Sequence, residues 1–350
     1  MSFDRLADLP LSIDSVTLER RERETSSDFT RVTTLVSLAG DGAVGRGEDV
    51  TYDADEHDAL AETGLPDLTG EYTLESFSAH VGDCDLFPAG APDREVFRNY
   101  RRWSLESAAL DLALRQADTD LATALGRSPD PVRFVASTRL GDPPTSDRVD
   151  ALHERVPDLE LKLDPTPEWD DALVADLAAT DAVHILDLKG QYEGTEVDVP
   201  ADRDLYDLVL ESFPDAVVED PALTDETRPL LEDPAVRERV SWDAPIHGID
   251  DLEALPWEPS WCNVKPSRFG SLESLLETIA YCEEREIACY GGGQFELDVG
   301  RGQNQLLASL FYPDGPNDLA PRRYNEPDLP ETLPASPLEP PAEPVGFRWS

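Results

Sequence analysis

Between Lys162 and Lys265 the chain carries five short apolar runs, LELK, VHILD, AVVE, VSWD and CNVK, and each ends in a charged residue. In order these are Lys162, Asp187, Glu219, Asp243 and Lys265. Runs of this length between helical segments read as buried strands. A charge at the end of a buried strand is costly to desolvate unless partners meet it. Five in succession therefore predict one convergent site. The alternative, strand-end charges that simply pair with one another, accounts for one such residue more easily than for five. Lysine usage points the same way. The chain has 26 Arg but three Lys, and Lys162, Lys189 and Lys265 all lie in this region.

A chain of 350 residues holds one large or two ordinary domains. The net charge of -45 accompanies 40% hydrophobic residues, which describes a folded protein with an acidic skin rather than a disordered tail. Such a surface argues against nucleic acid and anionic membrane as partners, since both need a basic patch. Scarce lysine and carboxylates spread along the whole chain predict adaptation to high salt, as in a halophilic archaeon. Cys84, Cys262, Cys282 and Cys289 lack CxxC or zinc spacing and read as reduced structural thiols of a cytoplasmic protein. No apolar leader segment and no run approaching 18 apolar residues is present, so neither a signal peptide nor a membrane span is expected.

Taken in order, residues 12–22 and 30–38 alternate apolar and polar positions as half-buried strands do. Gly40-x-Gly42-x-x-Gly45 formally matches a dinucleotide fingerprint. No helix follows it, and Asp-Gly between strands is a hairpin signal, so a turn is expected. Residues 53–64 and 73–80 read as short helices of a small α+β domain. Residues 95–126 predict one long helix or two in succession, closing at Gly126, and SPDP then acts as a linker. From 132 the rhythm becomes strand, loop, helix. Strands are expected at 132–138, 159–164, 183–189, 216–219, 240–243, 262–265, 287–290 and near 318–320. Helices are expected at 168–180, 202–212, 225–239, 249–255, 271–285 and about 301–311. This alternation means parallel βαβ units, and about eight strands suggest a barrel whose C-terminal strand ends carry the chemistry. The expected division is a first domain over 1–128, the barrel over 129–325 and a Pro-rich tail over 326–350 packed on the surface.

Asp187, Glu219 and Asp243 would bring three hard oxygen donors from neighbouring strands, which suits Mg2+. None of the five His sits at a second strand end to make a zinc site. Lys162 and Lys265 would face each other from strands two and six. The arrangement suits removal of a proton next to a carboxylate, with a neutral Lys as base and the cations stabilising an enediolate.

These motifs carry a resemblance. DGAVGRGED resembles the hairpin, and SLESAALDLALRQADTDLATALGR the long helix, of the capping domain of the enolase superfamily; VVEDP (Glu219) and NVKPSRFGSL (Lys265) are close to its barrel signatures. The chain is most similar to the muconate-lactonising subgroup, which holds cycloisomerases, o-succinylbenzoate synthases, N-acylamino acid racemases and dipeptide epimerases. The resemblance implies a (β/α)7β TIM-like barrel beneath an N-terminal α+β capping domain. It implies Mg2+ (or Mn2+) on Asp187, Glu219 and Asp243, Lys162 and Lys265 as acid/base pair on opposite substrate faces, a small carboxylate substrate, and a homo-oligomer. The implied reaction is α-proton abstraction to an enolate, followed by cycloisomerisation, β-elimination or racemisation/epimerisation. Two rivals remain: a catalytically idle relative acting as a binding or structural protein, and metal-assisted hydrolysis in which Lys265 is dispensable.

Some positions depart from the pattern. The family's K-x-K is Glu160-Leu161-Lys162 here. Lys189 stands where Asn is common, and either contacts substrate or pairs with Glu219 or Asp220. Glu296, in GGGQFELDVGRG, matches an acidic loop residue after strand seven, and the epimerases' paired Asp at strand eight survives only as Asp318. Asp220, Glu296, Ser137 and Asp318 are thus candidate substrate or supporting contacts, Ser137 being equally a satisfied hydroxyl. His247 reads as a loop hydrogen-bonding residue. Arg139, Arg322 and Arg323 hold a second substrate anion or pair with surface carboxylates. The acidic surface yields a first prediction. The melting temperature should fall steeply as KCl is lowered from molar to tens of millimolar, because screening of self-repulsion is lost; a Tm indifferent to KCl would contradict the high-salt reading.

Overall fold

The computed structural model describes residues 3–27, 29–192 and 199–349. In the N-terminal part β1 (Pro10–Ile13) is followed by an antiparallel sheet of β2 (Ser15–Glu24), β3 (Thr30–Gly40) and β4 (Ala43–Asp49), and β5 (Gly70–Thr73) returns to pair with β1. The expected hairpin joins β3 to β4. Asp41 and Gly42 both have positive φ (48° and 76°), the type I′ pattern whose twist matches the flanking strands. The glycine fingerprint is a turn with a strand behind it.

Helices Ala54–Thr63 and Leu74–Asp83 occupy the two short segments expected there. The long apolar stretch forms two helices, Val96–Gln116 and Leu121–Leu125, the second stopped by Gly126 in the left-handed conformation that caps helices. The longer helix lies directly on β4. A Cβ on Gly45 would sit 2.2 Å from the Ala108 carbonyl oxygen, and one on Gly47 2.0 Å from that of Ser104. The glycines of GRGED are therefore spent on a backbone-to-backbone approach between strand and helix.

The second part is a curled sheet of seven parallel strands in sequential order: β6 (Val135–Thr138), β7 (Glu160–Leu163), β8 (Val183–Asp187), β9 (Val217–Glu219), β10 (Val240–Trp242), β11 (Trp261–Val264) and β12 (Ala288–Gly291). Helices cover its outer face. Inside, Val135, Ile185, Val217 and Tyr290 form a small separate cluster that fills the barrel below its C-terminal mouth. The expected eighth strand is not one. Pro316 and Pro321 leave four residues between them, and proline cannot donate to a ladder. Residues 317–318 still join the two edges: the Asn317 carbonyl accepts from the Val135 N–H (2.9 Å), and the Asp318 N–H donates to the Gly291 carbonyl (2.8 Å).

The helix expected over 225–239 is two short ones, Arg228–Leu231 and Pro234–Arg237, because Pro234 starts a new helix behind an Asp233 cap rather than continuing the old one. Among the described residues no helix is long and apolar enough to cross a membrane. The tail runs back over both parts. Leu338 bridges to Val132, Phe347 is buried edge-on to Trp103, and Arg348 pairs with the buried Asp111 of the long helix.

The strand-helix contact is open to a direct test. Gly47→Ala forces a Cβ onto helix backbone that cannot swing aside, and should cost about 1–3 kcal/mol in urea denaturation at constant KCl. An unchanged midpoint would mean that the helix is not seated on β4 as described.

Candidate active site at the barrel mouth

Parallel register brings the strand-end charges into one layer. Asp187 lies opposite Glu219 across β8 and β9, Ser241 opposite Glu219 across β9 and β10, and Lys162 opposite Ser137 across β6 and β7. Asp243 and Lys265 come one residue beyond β10 and β11. All five charged residues are buried, the three carboxylates completely.

The layer forms two linked clusters. Lys162 Nζ donates to Glu219 Oε1 (2.6 Å) and lies 3.0 Å from Asp187 Oδ2 and 3.5 Å from Asp318 Oδ2. Lys265 Nζ donates to Asp243 Oδ2 (2.7 Å), while Arg268 Nη1 donates to Asp243 Oδ1 (2.7 Å). Tyr192 donates its hydroxyl to Asp243 Oδ2 (2.9 Å) and accepts from Arg268 Nη2 (3.0 Å). Glu219 Oε2 accepts from Tyr290 (2.6 Å) and from Asn263 Nδ2 (3.3 Å). Asp220, at φ 47°, turns its carboxylate onto the Asp243 and Ala244 N–H groups (both 2.8 Å) and so fixes the end of β10.

Several positions take other places than expected. Lys189 pairs with Asp187 and, at 3.6 Å, with Asp164, not with Glu219 or Asp220. Its backbone is left-handed (φ 55°), which folds the side chain back over its own strand end. Glu296 sits apart from the lysines, accepting from the Gln294 N–H (2.6 Å) and Asn304 (3.0 Å) and lying 3.2 Å from Arg301. Glu160 points to the opposite end of the barrel, where Arg133 binds it at 2.7 Å, so the acid in place of the family's first Lys does not touch Lys162. The Ser137 hydroxyl makes no protein hydrogen bond among the described residues, its backbone being paired in the β6–β7 ladder. His247 stays in its loop on Asp251 and Pro245. Arg139 is 3.8 Å from Asp164, and Arg322 and Arg323 bond the carbonyls of Leu297 and Thr332.

The capping part reaches over this mouth. Phe29 packs edge-on against Phe295, and Tyr52 donates to Gln294 Oε1 (3.0 Å). The buried Arg31 guanidinium donates to the Gln294 carbonyl and to three carbonyls of its own domain.

Family models for the Domain of unknown function (DUF8230) match residues 4–124, its N-terminal domain, and 128–326, its C-terminal domain. The chain belongs to the DUF8230 family. Its fold is that of the enolase superfamily, as the resemblance implied. The structure of a dipeptide epimerase from Methylococcus capsulatus complexed with Mg ion superposes with a TM-score of 0.66 at 20% identity, over 87% of this chain and 88% of that one. Muconate lactonizing enzyme from Pseudomonas putida gives 0.63 at 17% identity, over 85% and 84%. In sequence the chain is 27% identical to o-succinylbenzoate synthase of Bacillus subtilis (strain 168), over 69% of this chain and 66% of the synthase, just under two thirds of that relative's length.

Four residues of this candidate site escaped sequence reasoning. Asn263 precedes Lys265 by two, and period-two alternation from that Lys would have found it on the inner face. Tyr290 sits in a strand that was itself expected, and the same alternation could have reached it. Arg268 lies in the NVKPSRFG motif, but on a helical turn whose direction no periodicity gives. Tyr192 comes from a loop and left no signal.

Three carboxylates from adjacent strand ends, with no imidazole or thiol among them, have the donor chemistry of Mg2+ rather than zinc. Their oxygens are turned onto ammonium and guanidinium groups, and among the described residues no three acidic, imidazole or thiol side chains converge on one metal-binding point. The donor set fits by type and charge. Occupancy requires Lys162 and Lys265 to release the oxygens they now hold.

Protonation follows from this crowding. Burial opposes charge on Lys162, but Asp187, Glu219 and Asp318 outweigh it and hold its pKa well above the usual lysine value. Burial likewise opposes charge on Asp187 and Asp243, and their cationic neighbours outweigh it, keeping both well below the carboxylate range. Glu219 goes the other way. Burial pushes it up to about 8, with Lys162 pulling against this and the flanking Asp187 and Asp243 adding to it. A folded-state pKa raised above the unfolded 4.5 contributes stability that is complete below about 4.5 and is lost as pH rises through about 8. The urea midpoint of the metal-free protein should therefore fall from about pH 5 to about pH 9, and Glu219→Gln should flatten that slope. An unaltered slope in the variant would place the titration elsewhere.

Proposed function

We propose that this chain abstracts the α-proton of a small carboxylate to give an enolate, with Lys162 and Lys265 as the acid/base pair. One observation carries the reading. Two buried lysines stand on opposite sides of the barrel mouth, at β7 and after β11, each on its own carboxylates, with Asp187, Glu219 and Asp243 on the three strand ends between them. A substrate carboxylate brought to that middle ground would present its α-carbon between the two ammonium groups. Asp187, Glu219 and Asp243 would hold Mg2+, which when bound supplies a Lewis acid for the substrate carboxylate.

Lysine must be neutral to act as base. Asp187 and Glu219, which would serve as ligands, favour the charged form of Lys162, so engagement of their oxygens elsewhere removes part of what favours that ammonium. The lysine that accepts the α-proton becomes the acid of the next step. In a racemisation the opposite lysine returns a proton to the other face. In a β-elimination the α C–H bond breaks, its electrons form the double bond, and the β-hydroxyl leaves as water after taking a proton from lysine. The sequence similarity to o-succinylbenzoate synthase favours elimination. Tyr52, Phe29, Phe295 and Gln294 form the cover that would choose the substrate.

A second reading, a binding or structural protein without catalysis, is favoured by the carboxylates' complete engagement with protein cations. Proton NMR of α-deuterium exchange separates the two. The assay uses the protein in molar KCl with Mg2+, against N-acyl amino acids, dipeptides and cyclohexadiene carboxylates. Exchange in the wild type, reduced about a hundredfold or more by Lys162→Ala and by Lys265→Ala, is expected of an acid/base pair. Exchange surviving in Lys162→Ala alone would indicate one-base elimination. Absence of both exchange and Mg2+ binding would favour the idle reading.

A further inference from the structure

Away from the lysine layer, a cleft of about 720 Å³ opens between the capping sheet, the start of helix Val299–Phe311 and the C-terminal tail. Arg21, Arg23, Arg46, Arg301, Arg322 and Arg348 line it. Six of the chain's 26 arginines thus meet in one place, in a protein of net charge -45. The lining acids are Glu22 and Asp298 alone. None of the strand-end lysines or carboxylates borders the cleft.

Half of these arginines already have carboxylate partners. Arg21 pairs with Glu19 and Asp298, Arg301 with Glu296, and Arg348 with Asp111. The other three do not. The side chains of Arg23 and Arg46 make no hydrogen bond or ion pair among the described residues. Arg322 bonds only the Leu297 carbonyl, and its Nε is buried without a partner. Arg23 is also close enough to Arg322 to disfavour its charge, on top of the larger cost of burial. Three guanidinium groups therefore line the cleft with no carboxylate in hydrogen-bond contact; Glu48, Asp298 and Glu326 favour the Arg322 charge, and Glu19 feels that of Arg46, only through space. Guanidinium forks are built for bidentate contact with phosphate and carboxylate oxygens. Trp349 and Gln305 add an aromatic and an amide group to the same wall.

We propose that this cleft binds a small anion carrying two or more phosphate or carboxylate charges, held by Arg23, Arg46 and Arg322. The ligand would bridge capping sheet and barrel, because Arg23 and Arg46 come from β2 and β4 and Arg322 from the segment after Asp318. It is a site separate from the proposed chemistry and does not depend on it.

Isothermal titration calorimetry of the full chain, at one fixed KCl concentration and matched ionic strength, tests it with pyrophosphate and citrate as probes. Binding of either supports the site, and preference for pyrophosphate or for citrate names phosphate or carboxylate as the natural group. The Arg23→Ala/Arg46→Ala double variant should raise Kd about tenfold or more. Because neither side chain has a hydrogen-bonded or ion-paired partner among the described residues, its anion-free Tm in molar KCl, where self-repulsion is screened, should stay close to the wild type's. No heat with either probe in the wild type overturns the proposal. So does equal affinity in the double variant, or a Tm rise with pyrophosphate that extra KCl of the same ionic strength reproduces.

Discussion

The buried hydrogen bond from Lys162 to Glu219, with Asp187 beside it, is the interaction on which the barrel mouth depends. Removing one member of such a group leaves an uncompensated charge in low dielectric, at a cost of several kcal/mol. Asp187, Glu219 and Asp243 lie on consecutive strands and would repel one another without Lys162 below and Lys265 and Arg268 at the side. The division between the two basic residues follows from their chemistry. Arginine stays charged and forks onto carbonyls and carboxylates. It serves as structural cement here: Arg239 binds three carbonyls at the ends of helix Arg203–Ser212 and strand β9, and Arg101 holds the buried Asp49 at 2.8 Å. Lysine can lose its proton, and the chain keeps it only at and beside the mouth.

What the sequence disclosed and what it hid follow from the same physics. An apolar run closed by a charge is a strong local signal, and all five such runs became strand ends in one layer. Asp41-Gly42 was readable because a type I′ turn demands positive φ at both residues. Proline misled where it stood inside a periodic stretch. Pro234 keeps the apolar rhythm of 225–239 while starting a second helix, and Pro316 and Pro321 reduce the last strand to a bridge at Asn317. The ion-pair partner of Lys189 was hidden in a different way. It is decided by a left-handed backbone, which no pattern of residue types encodes. Glu160 shows the same limitation: adjacency in sequence to Lys162 says nothing once a strand carries its two ends to opposite mouths of a barrel.

The cover is held as firmly as the layer beneath it. Glu48, buried at the end of β4, accepts from the Thr33 hydroxyl (2.8 Å) and from the N–H groups of Leu297, Asp298 (3.0 Å) and Gly300 (2.9 Å). A carboxylate of the capping domain thereby serves the N-terminal turn of helix Val299–Phe311 in the barrel. Arg31 fixes the neighbouring loop through the Gln294 carbonyl. The loop that carries Phe295 and Glu296 is thus set by the capping sheet on one side and by the barrel helix on the other. The cover and the barrel geometry are not independent of one another in such an arrangement.

Surface and interior respond oppositely to salt. At about molar ionic strength the Debye length is about 3 Å, so the acidic skin is screened to near silence. Buried pairs are screened far less, and Lys162, Glu219 and Asp243 sit beyond the reach of mobile ions. A chain of net charge -45 can therefore carry an acidic surface without tilting the balance of cations and acids around its mouth. In molar salt the surface acidity would be felt least at the mouth, where the lysines face their immediate carboxylates.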